Sequence, residues 1–206
     1  MRTFMQRLMA MLSLSLGLCI GATAQTGPQA AQVVVAAAAT ATPATRPALV
    51  DHSVVSAAHT GWMMTSTALV LLMTLPGIAL FYAGMVRRKN VLNTMASVVA
   101  VAALVSMLWF AAGYSLAFTP GSAWLGGVDR MGFTGLDFQL AAGKLAVSHV
   151  APHIPESVYA MFQLTFAVIT AALLVGALVE RMRFAAMLIF IGLWSLLVYA
   201  PVAHWV

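Results

Sequence analysis

Residues 62–85 carry no charged side chain, and neither do residues 91–118, 157–178 and 184–203. Each stretch meets the roughly 20 residues a helix needs to cross a hydrocarbon core about 30 Å thick. In lipid the backbone has no water to bond, so a segment of this kind closes its own hydrogen bonds as a helix. Four such stretches restrict the chain to one broad class: an all-α, polytopic membrane helix bundle. Composition agrees, with 62% hydrophobic and 7% charged residues, against roughly 25% charged in soluble domains. Too few charges remain to cover a water-facing surface.

The charges sort by side. Arg87, Arg88 and Lys89 fill the short link between the first two stretches, and Glu180, Arg181 and Arg183 fill the link between the last two. Short basic links mark the cytoplasmic side. The long link 119–156 holds Asp129, Arg130, Asp137 and Lys144 and ends on Glu156, so its charges nearly cancel, and it is expected outside. The net charge of +5 then reports membrane topology. There is no basic stripe interleaved with aromatics, which sets nucleic acid aside as a partner.

The N-terminus reads "MRTFMQRLMAMLSLSLGLCIGATAQ". Arg2 and Arg7 precede a short apolar run over 8–20, and Ala22-Thr23-Ala24 forms an A-x-A site. This is the pattern of a signal peptide over residues 1–24, cut after Ala24; a first transmembrane helix is the alternative, for which the run is short. Cleavage would remove Cys19 and start the mature chain in the periplasm. The single cysteine excludes an internal disulfide and a cysteine-based metal site. Residues 25–50, rich in Ala, Thr, Pro and Val, are expected to be a disordered exported linker. Residues 51–206 then form the membrane domain.

The four stretches lack the carboxylate, histidine or lysine that usually marks an intramembrane proton or ion path. Their mid-span polar groups are hydroxyls and the Gln163 amide, near the outer end of the third. Phe162 and Phe166, four apart, share a helix face in the same region. Two readings stay open for them. Ring faces at an outer mouth attract a small cation by roughly 0.5–2 kcal/mol each, and phenylalanine is also ordinary core or lipid-facing material. Trp205, at the end of the fourth stretch, reads as an interfacial anchor, and His204 as an interfacial hydrogen-bonding group. His52, His59, His149 and His153 fall in the tail or outer loop, where Pro152 argues against a helical metal pair at 149 and 153. Pro76-Gly77 predicts a kink and a close helix approach. No nucleophile with a base, phosphate-cradling loop or metal cluster is present, so neither an enzyme nor a cofactor is expected.

Three stretches resemble one known family. "TALVLLMTLPGIALFYAGMVRRKNVLN", "FQLTFAVITAALLVGALVERMRF" and "YAPVAHWV" are similar to the first helix and inner loop, the third helix and following loop, and the end of the fourth helix of the ammonium transporter (Amt/methylammonium permease) family. The resemblance covers residues 61–206, with the outer loop least alike. It implies eleven helices per subunit, with two inverted five-helix repeats around a pore, and a homotrimer in the inner membrane. It implies that ammonium gathers in an aromatic outer vestibule and loses its proton, that ammonia passes a hydrophobic pore, and that the proton crosses separately. In many bacterial members a PII-type signalling protein blocks the inner face. By the resemblance, Phe162 matches the vestibule phenylalanine and Phe166 the first of two gate phenylalanines. The vestibule tryptophan would follow Val206. The pore histidines and second gate phenylalanine would also lie beyond it, and neither Trp205 nor His204 takes a family role. Four helices are fewer than one repeat, so this stretch is expected to belong to a longer transporter. An Amt-like ammonium sensor with a soluble output domain, or a truncated membrane fragment without transport, are the alternatives; a Rhesus-type channel ranks behind. Phe166→Ala is expected to alter ammonium-driven current and Phe118→Ala to leave it unchanged.

Overall fold

The computed structural model describes residues 47–136, 138–139 and 142–206. The expected signal peptide, and the expected linker through residue 46, lie outside the described residues. Four long apolar helices make up most of the described chain: α1 (Ala57–Met85), α2 (Arg88–Phe118), α3 (Glu156–Leu178) and α4 (Phe184–Trp205). They match the four uncharged stretches. The largest difference is at α1, which starts five residues before residue 62. Ser56 caps it there, its Oγ accepting from the His59 N–H at 3.3 Å, and this satisfies a free amide of the first turn. The helix therefore begins in the polar "AAHTG" run, before the apolar pattern does.

Many serine and threonine hydroxyls within the helices are satisfied by the helices themselves. Thr74 bonds the Val70 carbonyl, Thr94 the Asn90 carbonyl, Ser97 the Asn93 carbonyl and Ser106 the Ala102 carbonyl, all at 2.7–3.0 Å. A hydroxyl bonded back to its own turn is available to apolar surroundings at little desolvation penalty.

Three helices contain a wide, π-type turn: Met73–Ile78 in α1, Trp109–Gly113 in α2 and Ser195–Tyr199 in α4. Two follow from proline. A proline ring collides with the carbonyl four residues back; for Pro76 that residue is Leu72, at the edge of the first wide turn, and for Pro201 it is Leu197, inside the third. Widening the turn moves the carbonyl aside. The kink expected at Pro76-Gly77 therefore takes the form of a widened turn. The turn at Trp109–Gly113 has no proline; there the Trp109 ring lies 3.0 Å from where a Cβ on Gly113 would sit.

The core is built of small and β-branched residues. Val98, Val101 and Val105 of α2 meet Ala160, Ala167, Val168, Ala171, Ala172 and Val175 of α3, with Met187 and Ile191 of α4 against them. Small side chains let helix backbones approach closely where lipid offers no hydrophobic drive for association. The closest approach is at Gly176, where an added Cβ would overlap the Tyr82 ring, whose hydroxyl donates to the Leu173 carbonyl at 3.0 Å. At the basic end, Asn90 Nδ2 donates to Glu180 Oε1 at 3.2 Å. This joins the two charged links at one end of the bundle.

At the other end, which the charges lead us to expect outside and which is therefore called outer, the loop folds back on the helices. Gly126 N–H donates to the Leu116 carbonyl at 2.8 Å and Gly127 N–H to the Thr119 carbonyl at 3.3 Å, satisfying carbonyls that helix geometry leaves free. A Cβ on Gly126 would lie 2.6 Å from the Ser115 carbonyl oxygen, so glycine is required for this approach. A short antiparallel ribbon pairs β1 (Ala48–Asp51) with β2 (Lys144–Val147), Asp51 facing Lys144. The expected linker 25–50 thus ends in a strand rather than in disordered chain at residues 48–50. The alternating "ALVD" finds in the outer loop a partner that its own sequence does not show.

Candidate functional site

The outer half of α3 carries the two sequence-selected residues. Phe162 and Phe166 stack edge to face with ring centroids 5.0 Å apart and planes at 79°. Phe162 is half-buried and Phe166 is 39% exposed. The backbone beneath them is fixed by two hydroxyls: Thr165 Oγ1 donates to the Phe162 carbonyl and Thr170 Oγ1 to the Phe166 carbonyl, both at 2.7 Å. In an edge-to-face pair one ring face is covered by the partner's edge, and Phe166 keeps 39% of its surface accessible.

Aromatic packing holds α3 at this height. Trp109 Nε1 donates to the Ala160 carbonyl at 3.2 Å, and the Trp109 ring packs edge-on to Tyr114, Phe118 and Tyr199. Phe118 also packs at 5.4 Å against Tyr159. Phe118 is therefore part of the framework, and truncating it opens a cavity beneath the site. An exposed ring such as Phe190, 44% accessible, is the sounder control.

A cavity of about 560 Å³ opens at the outer end between α2, α3 and α4, bordered by Thr119, His149, Tyr159, Gln163, Tyr199 and His204. Gln163 Nε2 donates to the Tyr159 hydroxyl at 3.2 Å. Neither Phe162 nor Phe166 lines this cavity, so Gln163 and the phenylalanine pair serve different faces of α3. His204 sits with its ring nitrogens 2.9 and 3.0 Å from the Ala117 and Ser122 carbonyls. Trp205 Nε1 donates to the Trp124 carbonyl at 3.2 Å, and the two indoles pack edge to face. Both residues tie the end of α4 to the outer loop.

One group escaped the sequence reading. Glu156, assigned there to the end of the outer loop, is the first residue of α3 and only 1% exposed. Tyr114 Oη donates to its Oε1 at 3.0 Å, and Arg130 Nη2 lies 3.0 Å from its Oε2 as an ion pair. A glutamate directly after Pro155 is a recognisable helix start, but nothing in the sequence pairs it with Arg130 across the loop.

The profile of the Ammonium Transporter Family matches residues 61–206. This chain belongs to that family. The chain is 48% identical over 147 residues to an ammonium transporter of Bacillus subtilis, covering 71% of this chain and 34% of the relative. It is 44% identical over 149 residues to an ammonium transporter of Aquifex aeolicus, covering 72% of this chain and 33% of the relative. Among solved structures, Candida albicans Mep2 matches with a TM-score of 0.64 and 31% identity, over 76% of this chain and 33% of that one. The chain thus spans about a third of the length of the transporters it matches, in proportion with four helices of an expected eleven. The Ammonium Transporter Family is one of membrane transporters rather than enzymes. Membership makes the four apolar helices membrane spans, and the chain a multi-pass membrane protein.

Proposed function

We propose that this chain provides the outer recruitment face of an ammonium transporter, with Phe162 in the vestibule and Phe166 at the pore gate. The observation that carries the reading is the edge-to-face phenylalanine pair on the outer half of α3, which carries no charge beyond its first residue, within a chain of the Ammonium Transporter Family.

The physics follows from charge. A bare ammonium ion in an apolar passage loses its hydration at a penalty of several kcal/mol or more. Ring faces compensate part of it, at roughly 0.5–1 kcal/mol each where exposed and about 2 kcal/mol when desolvated. The cation waits at Phe162, and loss of a proton leaves ammonia, which passes Phe166 without charge. The surrounding helices suit a neutral species: Thr74, Thr94, Ser97 and Ser106 are occupied by carbonyls of their own helix, and residues 62–85, 91–118, 157–178 and 184–203 carry no charged side chain. Selectivity then lies in width and lining groups. The same reading places the protein in the inner membrane as a homotrimer, with residues 1–24 removed as a signal peptide. The N-terminus is then periplasmic and the basic links are cytoplasmic, where a PII-type protein would dock.

The test is ammonium-evoked current in membranes holding the protein expressed from its native gene. Phe166→Ala is expected to change the current several-fold at equal abundance, and Phe190→Ala to leave it within experimental scatter. Equal currents in both would overturn the gate assignment. A wild-type protein without any ammonium-evoked current would overturn the transport reading.

A further inference from the structure

The outer loop is shaped around one guanidinium. Arg130 N–H donates to Ser115 Oγ at 3.1 Å, and Ser115 in turn donates to the Gly127 carbonyl at 2.7 Å. Arg130 Nη1 donates to the Thr134 carbonyl at 3.2 Å, while Thr134 Oγ1 bonds the Asp129 carbonyl at 2.9 Å. Gly135, at φ +75°, crosses so close to the Arg130 Nη1 that a Cβ there would overlap it. Phe133 takes a left-handed backbone, φ 59°, that a bulky residue rarely adopts. Its ring is seated edge-on against Phe110 at 5.2 Å and Tyr114 at 5.6 Å. A strained aromatic residue, two glycine-dependent turns and four hydrogen bonds converge on presenting Arg130, its side chain 16% exposed, to the buried Glu156.

Such a buried pair is weak evidence for stability, because desolvation offsets much of the attraction, and fixing a single geometry is its best-attested use. The geometry fixed here is that of α3. Glu156 is held by Tyr114 and Arg130, and one turn further on the Ala160 carbonyl is held by Trp109. Two anchors on one face set the depth and rotation of the helix. Phe162 and Phe166 lie around the other side of the same helix, at about 100° per residue.

Resting on the transport reading above, we propose that Glu156 is a positioning residue. Through Arg130 and Tyr114 it locks the outer half of α3 in the rotation that presents the Phe162–Phe166 pair to ammonium. Its charge is neutralised by Arg130 and does not itself attract the cation.

The experiment uses the protein expressed from its native gene, with two readouts. The first needs no transport: Phe162→Cys, on a background with every other cysteine of the expressed protein replaced by serine, is labelled by a membrane-impermeant thiol reagent, and the rate is compared with and without Glu156→Gln. The second is the ammonium concentration giving half-maximal current in the protein that retains Phe162. Glu156→Gln is expected to change both by at least three-fold, with maximal current per molecule changed less. Arg130→Lys with Glu156 intact, which keeps a cation at the carboxylate, is expected to retain most of the wild-type behaviour. Where Glu156→Gln alone fails to accumulate, the double variant Glu156→Gln/Arg130→Met removes both buried charges and is expected to show the same shifts. Unchanged labelling and half-saturation in an abundant variant would overturn the inference. A shifted labelling rate in a protein with no ammonium-evoked current would support the lock and sink the transport reading instead.

Discussion

Replacing Gly176 by alanine is expected to weaken the packing of α1 on α3. The added methyl would overlap the Tyr82 ring, and the ring is not free to swing aside because its hydroxyl is bonded to the Leu173 carbonyl at 3.0 Å and Phe81 packs on it at 5.4 Å. Overpacking of this kind is worth about 1–3 kcal/mol, and breaking the tyrosine hydrogen bond adds about 1 kcal/mol. Alanine returns about 1 kcal/mol of helix propensity. The net loss is then about 1–3 kcal/mol, a roughly 5- to 150-fold change in the folded ratio. The assay is reversible unfolding of the detergent-purified protein in increasing sodium dodecyl sulfate, followed by far-ultraviolet circular dichroism. Gly176→Ala should lower the midpoint. Tyr82→Ala/Gly176→Ala should lose less than the two single variants together, because the overlap no longer exists. An undiminished midpoint for Gly176→Ala, with simple additivity in the double variant, would show that the Tyr82 ring is not seated on Gly176.

Two further outcomes are expected at the outer end. Ser115→Ala leaves the part-buried Gly127 carbonyl and Arg130 N–H without their partner, a loss of about 1 kcal/mol or more; limited proteolysis should cut the loop sooner than in wild type, with the helices intact. The Asp51 carboxyl is held below its ordinary 3.8, first by the Ser53 backbone amide, then by the Ser53 side chain, with His52 and Lys144 adding to it. A depressed carboxyl stabilises the fold above its unfolded value, and the contribution is lost as pH falls through the folded one. The Ser53 amide protection factor should therefore drop as pH falls below 3.8, and Asp51→Asn should remove that dependence.

The bundle was legible because lipid imposes a blunt rule. An uncharged stretch of sufficient length has one available conformation, and residues 91–118 and 157–178 were read almost to the residue. The phenylalanine pair was legible for a related reason, since a spacing of four within one helix is local geometry. Contacts across the loop were not. Arg130 and Glu156 meet only because Gly126, Gly127 and Gly135 let the chain fold back on α2, and no periodicity encodes that path. The β1–β2 ribbon was missed for the same reason: residues 48–50 are ordinary in composition, and their strand exists because residues 144–147 are nearby. Phe118 looked inert in sequence because the Trp109 and Tyr159 rings around it are distant or on other helices.

The widened turns bear on how this chain tolerates changes of length. Deleting a residue from a regular stretch of helix turns everything beyond it by about 100°, which would strip the inward face of α2 from α3. A π-type turn already holds one residue more than the α-helical ladder around it. A single deletion within Trp109–Gly113 closes that turn to regular helix and leaves the flanking faces in phase. The turn at Trp109–Gly113, which no proline requires, is thus the point along these spans where a one-residue gap in an alignment of relatives is structurally silent, whereas closing the turns at Pro76 and Pro201 would bring back the clash they relieve.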